Sequence, residues 1–475
     1  MADPAPYAVS RRALLQRAGA ALALTGAVRP ARAAAVELVA ATGRVQIVGE
    51  KYGVAATDIW GFNGDVPGPT LRFRQGERAR IDVVNRLDRP TSVHWHGLRV
   101  PNAMDGVAHL TQKPIGPGET FHYEFDLPDA GTFWYHPHMD SSGQIGRGLY
   151  GALIVEEARP LPVDREVTWV LGDWRLDASG AIDANFAHPM DLSHAGRIGN
   201  TVTINGRVPE RVAIRAGERL RLRLINAANA RIFALDFPGL NPRILTLDGH
   251  GVAPHAPPDG RVIVAPAQRV DLVLDVPADA REPIAVTDGF FRSGAYRLIH
   301  LAPEPGGGAG LAGTPIVAPA ANPLPEPDLA AATMVSIKLG GGMMDPRLRR
   351  GEITRDQAVA QMRHGLIWSL NGQSMVDHAH KHEPLLRLDR GRSYVFAMEN
   401  DTAWHHPMHL HGHTFRVVAR NGRPTTHREW RDTVLLDPGE RVDIAFVADN
   451  PGEWMFHCHI LDHQAFGMMA SIRVS

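Results

Sequence analysis

Short segments in which apolar and polar residues alternate recur along the chain, as in "ARIDVVN" (79–85) and "RLRLIN" (221–226), each bounded by clusters of Gly, Pro, Asn and Asp. A period of two sends successive side chains to opposite faces, as in the strands of a packed sheet. Long stretches with the 3.6-residue period of a helix are nearly absent, so the pattern predicts an all-β protein. One stretch breaks it. Residues 302–328, "APEPGGGAGLAGTPIVAPAANPLPEPD", have no apolar period and read as a Pro/Gly-rich linker.

The segments belong to a larger repeat. Asn63-Gly64, Asn205-Gly206 and Asn371-Gly372 each precede a second glycine, Gly76, Gly217 or Gly391, and nine residues beyond each of these stands Asn85, Asn226 or Asn400. This spacing divides the chain into sandwich-sized units at residues 36–158, 159–301 and 329–475. The same register puts histidines in two of them. His94, nine residues after Asn85, opens "HWHG", and His409, nine after Asn400, opens "HLHG"; the matching position in the second unit is Leu235. Further on, "GTFWYHPH" (131–138) aligns with "GEWMFHCH" (452–459), and the second unit has no histidine pair there. Residues i and i+2 of a strand share a face, so His94/His96, His136/His138, His409/His411 and His457/His459 each present two imidazoles side by side. Only about one such pair is expected by chance. Four in matched register mark the first and third units as the carriers of chemistry.

At 475 residues the chain can form several domains, each with its own core. Lys+Arg 50 against Asp+Glu 51 leave a formal charge of −1, and no basic stripe tracks a phosphate backbone, which argues against nucleic acid as a partner. Residues 1–33 read as an export signal: Ser10, Arg11 and Arg12, a weakly apolar run, then Ala31, Arg32 and Ala33 as a small-x-small cleavage site. The paired arginines resemble the bacterial twin-arginine signal, which implies export of the folded protein to the periplasm by the twin-arginine machinery. No later apolar run reaches the roughly 18 residues needed to cross a bilayer, so a soluble periplasmic protein is expected, with a monomer favoured. Cys458 is the only cysteine. It excludes internal disulfides, and in an oxidising compartment a lone thiol is at risk unless it is tied to something.

Cys458 stands between His457 and His459, so in an extended strand the thiol faces one way and both imidazoles the other. His463 and Met468 follow Cys458 at +5 and +10, and His406 precedes His409 by three. A thiolate, two imidazoles and a thioether describe a blue-copper electron-transfer site, because soft sulfur favours Cu(I) and imidazole suits both oxidation states. Zinc, the competing metal, has no use for a thioether. The eight paired imidazoles suit a cluster of several copper ions, able to collect electrons passed singly through Cys458 and to reduce dioxygen fully.

"HWHG", "HPH", "HPMHLHGH" (406–413) and "HCHILDHQAFGM" (457–468) are similar to the four copper motifs of the multicopper oxidases, the family of laccases, bilirubin oxidases and bacterial cuprous oxidases. The resemblance spans essentially the whole mature chain. It implies three cupredoxin-like Greek-key β-sandwich domains and four copper ions. His406, Cys458, His463 and Met468 would hold the type 1 ion, and His94 and His409 the type 2 ion. One type 3 ion would take His96, His136 and His459, the other His138, His411 and His457. Asp105 falls where cuprous-oxidase relatives carry a proton-supplying acid. Gln464 stands where several bacterial relatives have a glutamate, and an amide cannot relay protons as an acid does. Rival readings fit less well: a copper nitrite reductase lacks the third sandwich, a copper-free scaffold loses ligands, and copper storage needs no cysteine bridging two sites.

The partners implied are dioxygen and either a small aromatic reductant or Cu(I). Met343, Met344 and Asp345, a capping box of Thr354 and Gln357 opening a short helix toward Met362 and His364, and His378, His380 and His382 offer groups that could gather copper. Against a dedicated Cu(I) site, Trp404 stands two residues before His406, where cuprous-oxidase relatives place a methionine; an indole offers a stacking face and no ligand. The expectation is laccase-like oxidation of phenols and aromatic amines, with electrons entering by the edge of His463. His188, His194, His250, His255 and His413 read as ordinary structural residues.

Overall fold

A computed structural model describes residues 35–291, 294–304, 307–376 and 383–475. The export signal and His378, His380 and His382 lie outside the described residues. Among those described, no helix is long and apolar enough to cross a membrane.

The described strands form three pairs of sheets. In the first pair, a sheet built on Val36–Val45 and Arg78–Asn85 faces one in which His94–His96 is the edge strand beside Gly131–His136. A six-stranded sheet centred on Arg219–Asn226 faces a five-stranded one in the second pair, and in the third a seven-stranded sheet faces five strands, with His406–Leu410 between Gly452–Cys458 and Thr433–Leu436. Each pair encloses its own apolar core. Leu235 is fully buried in the core of the second pair, so that register position carries packing alone.

The repeated asparagines and glycines have one physical cause each. Asn63, Asn205 and Asn371 adopt positive φ (55°, 50° and 50°), a conformation asparagine tolerates. Their Oδ1 atoms accept from the amides of Val39, Val170 and Lys338 at 2.7, 2.8 and 2.7 Å. Asn85, Asn226 and Asn400 are completely buried. Each accepts from the amide two residues on, at Leu87, Ala228 and Thr402, and donates to carbonyls of the loop that follows and of a neighbouring segment. This clamp fixes how the chain leaves one strand and enters the next, nine residues on, where the histidines stand.

The linker is pinned along its course. Ala309 donates its amide to Asp164, and Arg219 donates to Thr314. Asn322 donates to the carbonyl of Ala130 at 2.9 Å and to Nδ1 of His250 at 3.0 Å. His250 is therefore a core residue joining the linker to the second sandwich. Burial pushes its imidazole down to about 4. Between about pH 6.5 and 4 the unfolded chain binds a proton that the folded chain refuses, so this stabilisation is full above pH 6.5 and lost as pH falls to 4. His250→Gln should remove it: in urea titrations of copper-free protein, the native chain is expected to lose up to about 3 kcal/mol more than the variant between pH 7 and 4.

Candidate metal centres

Strand pairing assembles the imidazoles. His94 lies opposite His136, and His409 opposite His457, in neighbouring strands. The two units then meet face to face: His94 stacks on His411 with ring centroids 3.9 Å apart, and His96 on His409 at 3.8 Å. Donor atoms within 4.8 Å of one another form the sets His94, His96 and His409; His96, His136 and His459; and His138, His411 and His457, all buried.

Hydrogen bonds reveal which ring nitrogens face the centre. His411 Nδ1 donates to Asp105 Oδ2 at 2.9 Å and His457 Nδ1 to the carbonyl of Cys458 at 2.8 Å. Their Nε2 atoms, both stripped of a proton, lie only 3.1 Å apart. In the same way His136 Nδ1 donates to the Pro137 carbonyl and His96 Nε2 to Asp432, leaving His136 Nε2 and His96 Nδ1 facing each other at 3.4 Å. The outer nitrogens of His94 and His409 bind the carbonyls of Asp105 and Asp432. Their Nε2 atoms are buried with no partner among the described residues. Facing lone pairs repel, and a cation between them turns that repulsion into coordination. This donor set fits metal ions.

The second centre repeats the logic with sulfur. His406 Nε2 is within 2.8 Å of Thr402 Oγ1, and His463 Nε2 donates to the carbonyl of His194 at 2.7 Å. The two Nδ1 atoms lie 3.1 Å apart, and Cys458 Sγ sits 3.5 and 3.7 Å from them. Met468 is fully buried and exchanges backbone bonds with Cys458 and His463. Burial pushes the Cys458 thiol up, so its thiolate forms only with a cation at hand. It also holds His96, His136, His406, His411 and His459 well below the usual imidazole range, and His463 at about 3. Neutral imidazoles are the protonation state a soft metal requires, and the thiol gives up its proton as the ion binds.

Two acids serve the imidazole cluster. Asp105, expected from the resemblance, is fully buried beside His411 and, at 3.2 Å, His94. Asp432 was not predicted. Burial opposes its charge, but Arg269 overrides that and holds the carboxyl well below the usual range. Asp432 accepts from His96 at 3.1 Å and lies 3.4 Å from His409. Arg269 donates to both carboxylate oxygens and to the carbonyls of Thr132, Ala267 and Asp248. No motif announces either residue.

Other expectations divide. Thr354 and Gln357 form the capping box, at 2.8 and 3.2 Å. Asp345 is buried, caps the helix Pro346–Arg350 and pairs with Arg347, so its carboxylate is already committed. Met343 and Met344 are exposed, and His364 follows the helix Arg355–Arg363. Gln464 is buried, its Oε1 without a partner among the described residues. His188 caps a short helix, His255 stacks on His427, and His413 packs between Phe446 and Trp454. The His463 side chain is fully buried, its Nε2 donating to the His194 carbonyl. One reading changes. His194, read as an ordinary residue, is part of the sulfur site's wall.

A thiol centre and an imidazole cluster joined through one tripeptide, in an all-β triple sandwich, define an electron-transferring metalloprotein, and a buried thiol beside two imidazoles suits copper. Three multicopper oxidase families match successive parts of the chain, residues 46–160, 165–288 and 352–475. Multicopper oxidase MmcO of Mycobacterium tuberculosis is 30% identical over 440 residues, covering 86% of this chain and 81% of that protein. A solved multi-copper oxidase from Pseudomonas thermotolerans has a TM-score of 0.82 at 35% identity, covering 93% of this chain and 100% of that one. Lac15 from a marine microbial metagenome has a TM-score of 0.71 at 36% identity, with the same coverage of 93% and 100%. The chain belongs to the multicopper oxidases: it is a cupredoxin-like oxidoreductase that uses dioxygen as acceptor.

The Arg269–Asp432 pair can be tested without copper. Arg269→Leu leaves a buried carboxylate without its partner and should cost about 3–5 kcal/mol, read by denaturation of the copper-free protein. Arg269→Leu with Asp432→Leu is expected to recover part of the loss. A single variant as stable as the native chain contradicts the pairing.

Proposed function

We propose that this enzyme removes single electrons from phenols and aromatic amines and couples four such events to the reduction of dioxygen to water. The observation that carries the reading is the partition of strand Gly452–Cys458 and the residue after it: Cys458 turns to His406 and His463, while His457 and His459 turn to the opposite cluster. Four copper ions fit the donor sets. His406, Cys458, His463 and Met468 would hold a type 1 ion, His94 and His409 a type 2 ion, and His96, His136, His459 with His138, His411, His457 two type 3 ions. Copper so held would take electrons singly at the sulfur and spend four of them on dioxygen at the imidazoles.

The chain's own residues position and supply. Cys458 and its neighbours form a covalent path only a few bonds long. Asp432 and Asp105 hold the outer ring nitrogens of His94, His96, His409 and His411, and to Asp105, whose Oδ1 lies 3.2 Å from His94 Nδ1, we assign the holding of protons for delivery there. We further propose that the units span residues 36–158, 159–301 and 329–475, that the protein is exported as a monomer to the periplasm by the twin-arginine route, and that Gln464 breaks any proton route on its side.

For the reductant, relatives point both ways. A laccase-like CueO of Ochrobactrum sp., 26% identical with a TM-score of 0.76, is described as active towards lignin model compounds and lignosulfonate. Copper resistance protein A of Escherichia coli is 26% identical over 550 residues, covering 87% of this chain. The committed carboxylate of Asp345 and the indole at Trp404 favour aromatic reductants. The exposed Met343 and Met344 support Cu(I) oxidation as a secondary activity.

Cys458→Ser should be colourless and inactive yet keep copper at the eight imidazoles, because a thiolate is the source of the blue charge-transfer band; a blue serine variant contradicts the site. Steady-state rates with a substituted phenol and with Cu(I) test the reductant. Trp404→Ala is expected to lower phenol turnover much more than Cu(I) turnover, whereas a native preference for Cu(I) abolished by deleting residues 341–364 replaces this reading with copper detoxification.

A further inference from the structure

Between the turn at residues 341–345 and the helix Arg355–Arg363 lies a cavity of about 230 Å³. Met343, Leu348, Val359 and Ile367 give it apolar walls, and the exposed Arg355 and Gln361 stand at its rim. Roughly 150 Å³ of apolar space is enough to hold benzene, so one aromatic ring fits. The cavity lies beside the sulfur site. Gly341 and Gly342 complete its lining, and a Cβ on Gly342 would meet the ring of Trp368, so glycine lets the wall lie directly on that indole. The same indole packs on His463, with ring centroids 4.1 Å apart. Met343 is tied down at both ends of its peptide units: its amide donates to the Ser193 carbonyl at 2.8 Å, and its carbonyl accepts from Trp404 Nε1 at 2.9 Å. The cavity wall is therefore fastened to the second unit and to both indoles beside the sulfur site.

The charges around this cavity do not balance. Residues 346–363 carry five arginines against Glu352 and Asp356. Arg347 is paired with Asp345, the acid in the lining, and Arg350 with Glu352 and Asp401. Arg355 makes no ion pair or side-chain hydrogen bond among the described residues. A guanidinium presents a planar fork that a carboxylate meets with two parallel hydrogen bonds. Placed at the edge of an apolar pocket, such a cation selects a molecule that is apolar in its ring and anionic at one end.

We propose that this cavity is the docking site for phenols that carry a carboxylate, with the ring against Met343, Leu348, Val359 and Ile367 and the carboxylate on Arg355. This rests on the phenol reading above and names the class of phenol. A carboxylate held at the rim turns the opposite, hydroxyl-bearing edge of a para-substituted ring toward Gly342 and the indole behind it. Arg355 thus determines specificity by binding alone, and no bond forms or breaks at it.

The test is calorimetric binding to the copper-loaded protein of 4-methoxybenzoate, whose methylated hydroxyl has no proton to give, and of the uncharged 4-methoxybenzamide. The native protein should bind the benzoate about tenfold more tightly than the amide. Arg355→Ala is expected to bring the two to one affinity, and Leu348→Trp, which fills the cavity, to abolish both, with the blue band showing that each variant is folded. In steady state, the KM for syringate relative to that for 2,6-dimethoxyphenol, the same phenol without the carboxylate, should rise about tenfold in Arg355→Ala. A benzoate that does not bind, or that binds Arg355→Ala or Leu348→Trp as well as the native chain, overturns the proposal, and continued oxidation of 2,6-dimethoxyphenol then leaves the phenol reading standing. A native enzyme that oxidises neither phenol removes the phenol reading, and with it the cavity as a substrate site even where the benzoate binds.

Discussion

A guanidinium and a carboxylate, both withdrawn from water, tie three sandwiches to one set of imidazoles. Arg269 comes from the second unit, Asp432 from the third, and the His96 held by Asp432 from the first. Stripping two charges of water costs several kcal/mol per ion, and their attraction offsets this only if the remaining hydrogen bonds are made. They are: every nitrogen of the Arg269 side chain has an acceptor. The middle sandwich has no metal-binding pair, yet it aims the imidazoles of its neighbours and, through His194, walls the sulfur site.

A second buried network works at the seam of the first two units. Arg221 pairs with Glu157 at 2.6 Å and with Asp271 at 2.7 Å, and Arg223 reaches Thr132 at 2.8 Å. Arg219, Arg221 and Arg223 alternate with leucines as they would on a strand with one wet face. All eight residues of that strand are nonetheless buried, because the polar face is covered by the first sandwich and, at Arg219, by the linker. Local alternation records which side chains share a face; it does not record what the chain later lays over that face.

The same limit separates what was legible in the sequence from what was not. The all-β architecture and its repeat were legible, because the Asn-Gly turns and buried asparagines act within a few residues of where they stand. The histidine pairs were legible because strand geometry turns i, i+2 spacing into a shared face. Asp432 was not: it is a single acid whose meaning depends on an arginine 163 positions away. His194 was missed for a different reason, since it binds His463 through a main-chain carbonyl, which every residue possesses.

The strand Gly452–Cys458 also has a consequence for how such a chain can vary. Its alternation separates sulfur from imidazole, and its register pairs Met408 with Cys458 and His409 with His457. Adding or removing one residue there would turn each side chain to the other face, sending the thiol toward the imidazoles and a histidine into the sulfur site. Loops elsewhere can lengthen at small entropic cost. This segment can change its side chains but not its length, so insertions and deletions in related chains should stop at its two ends.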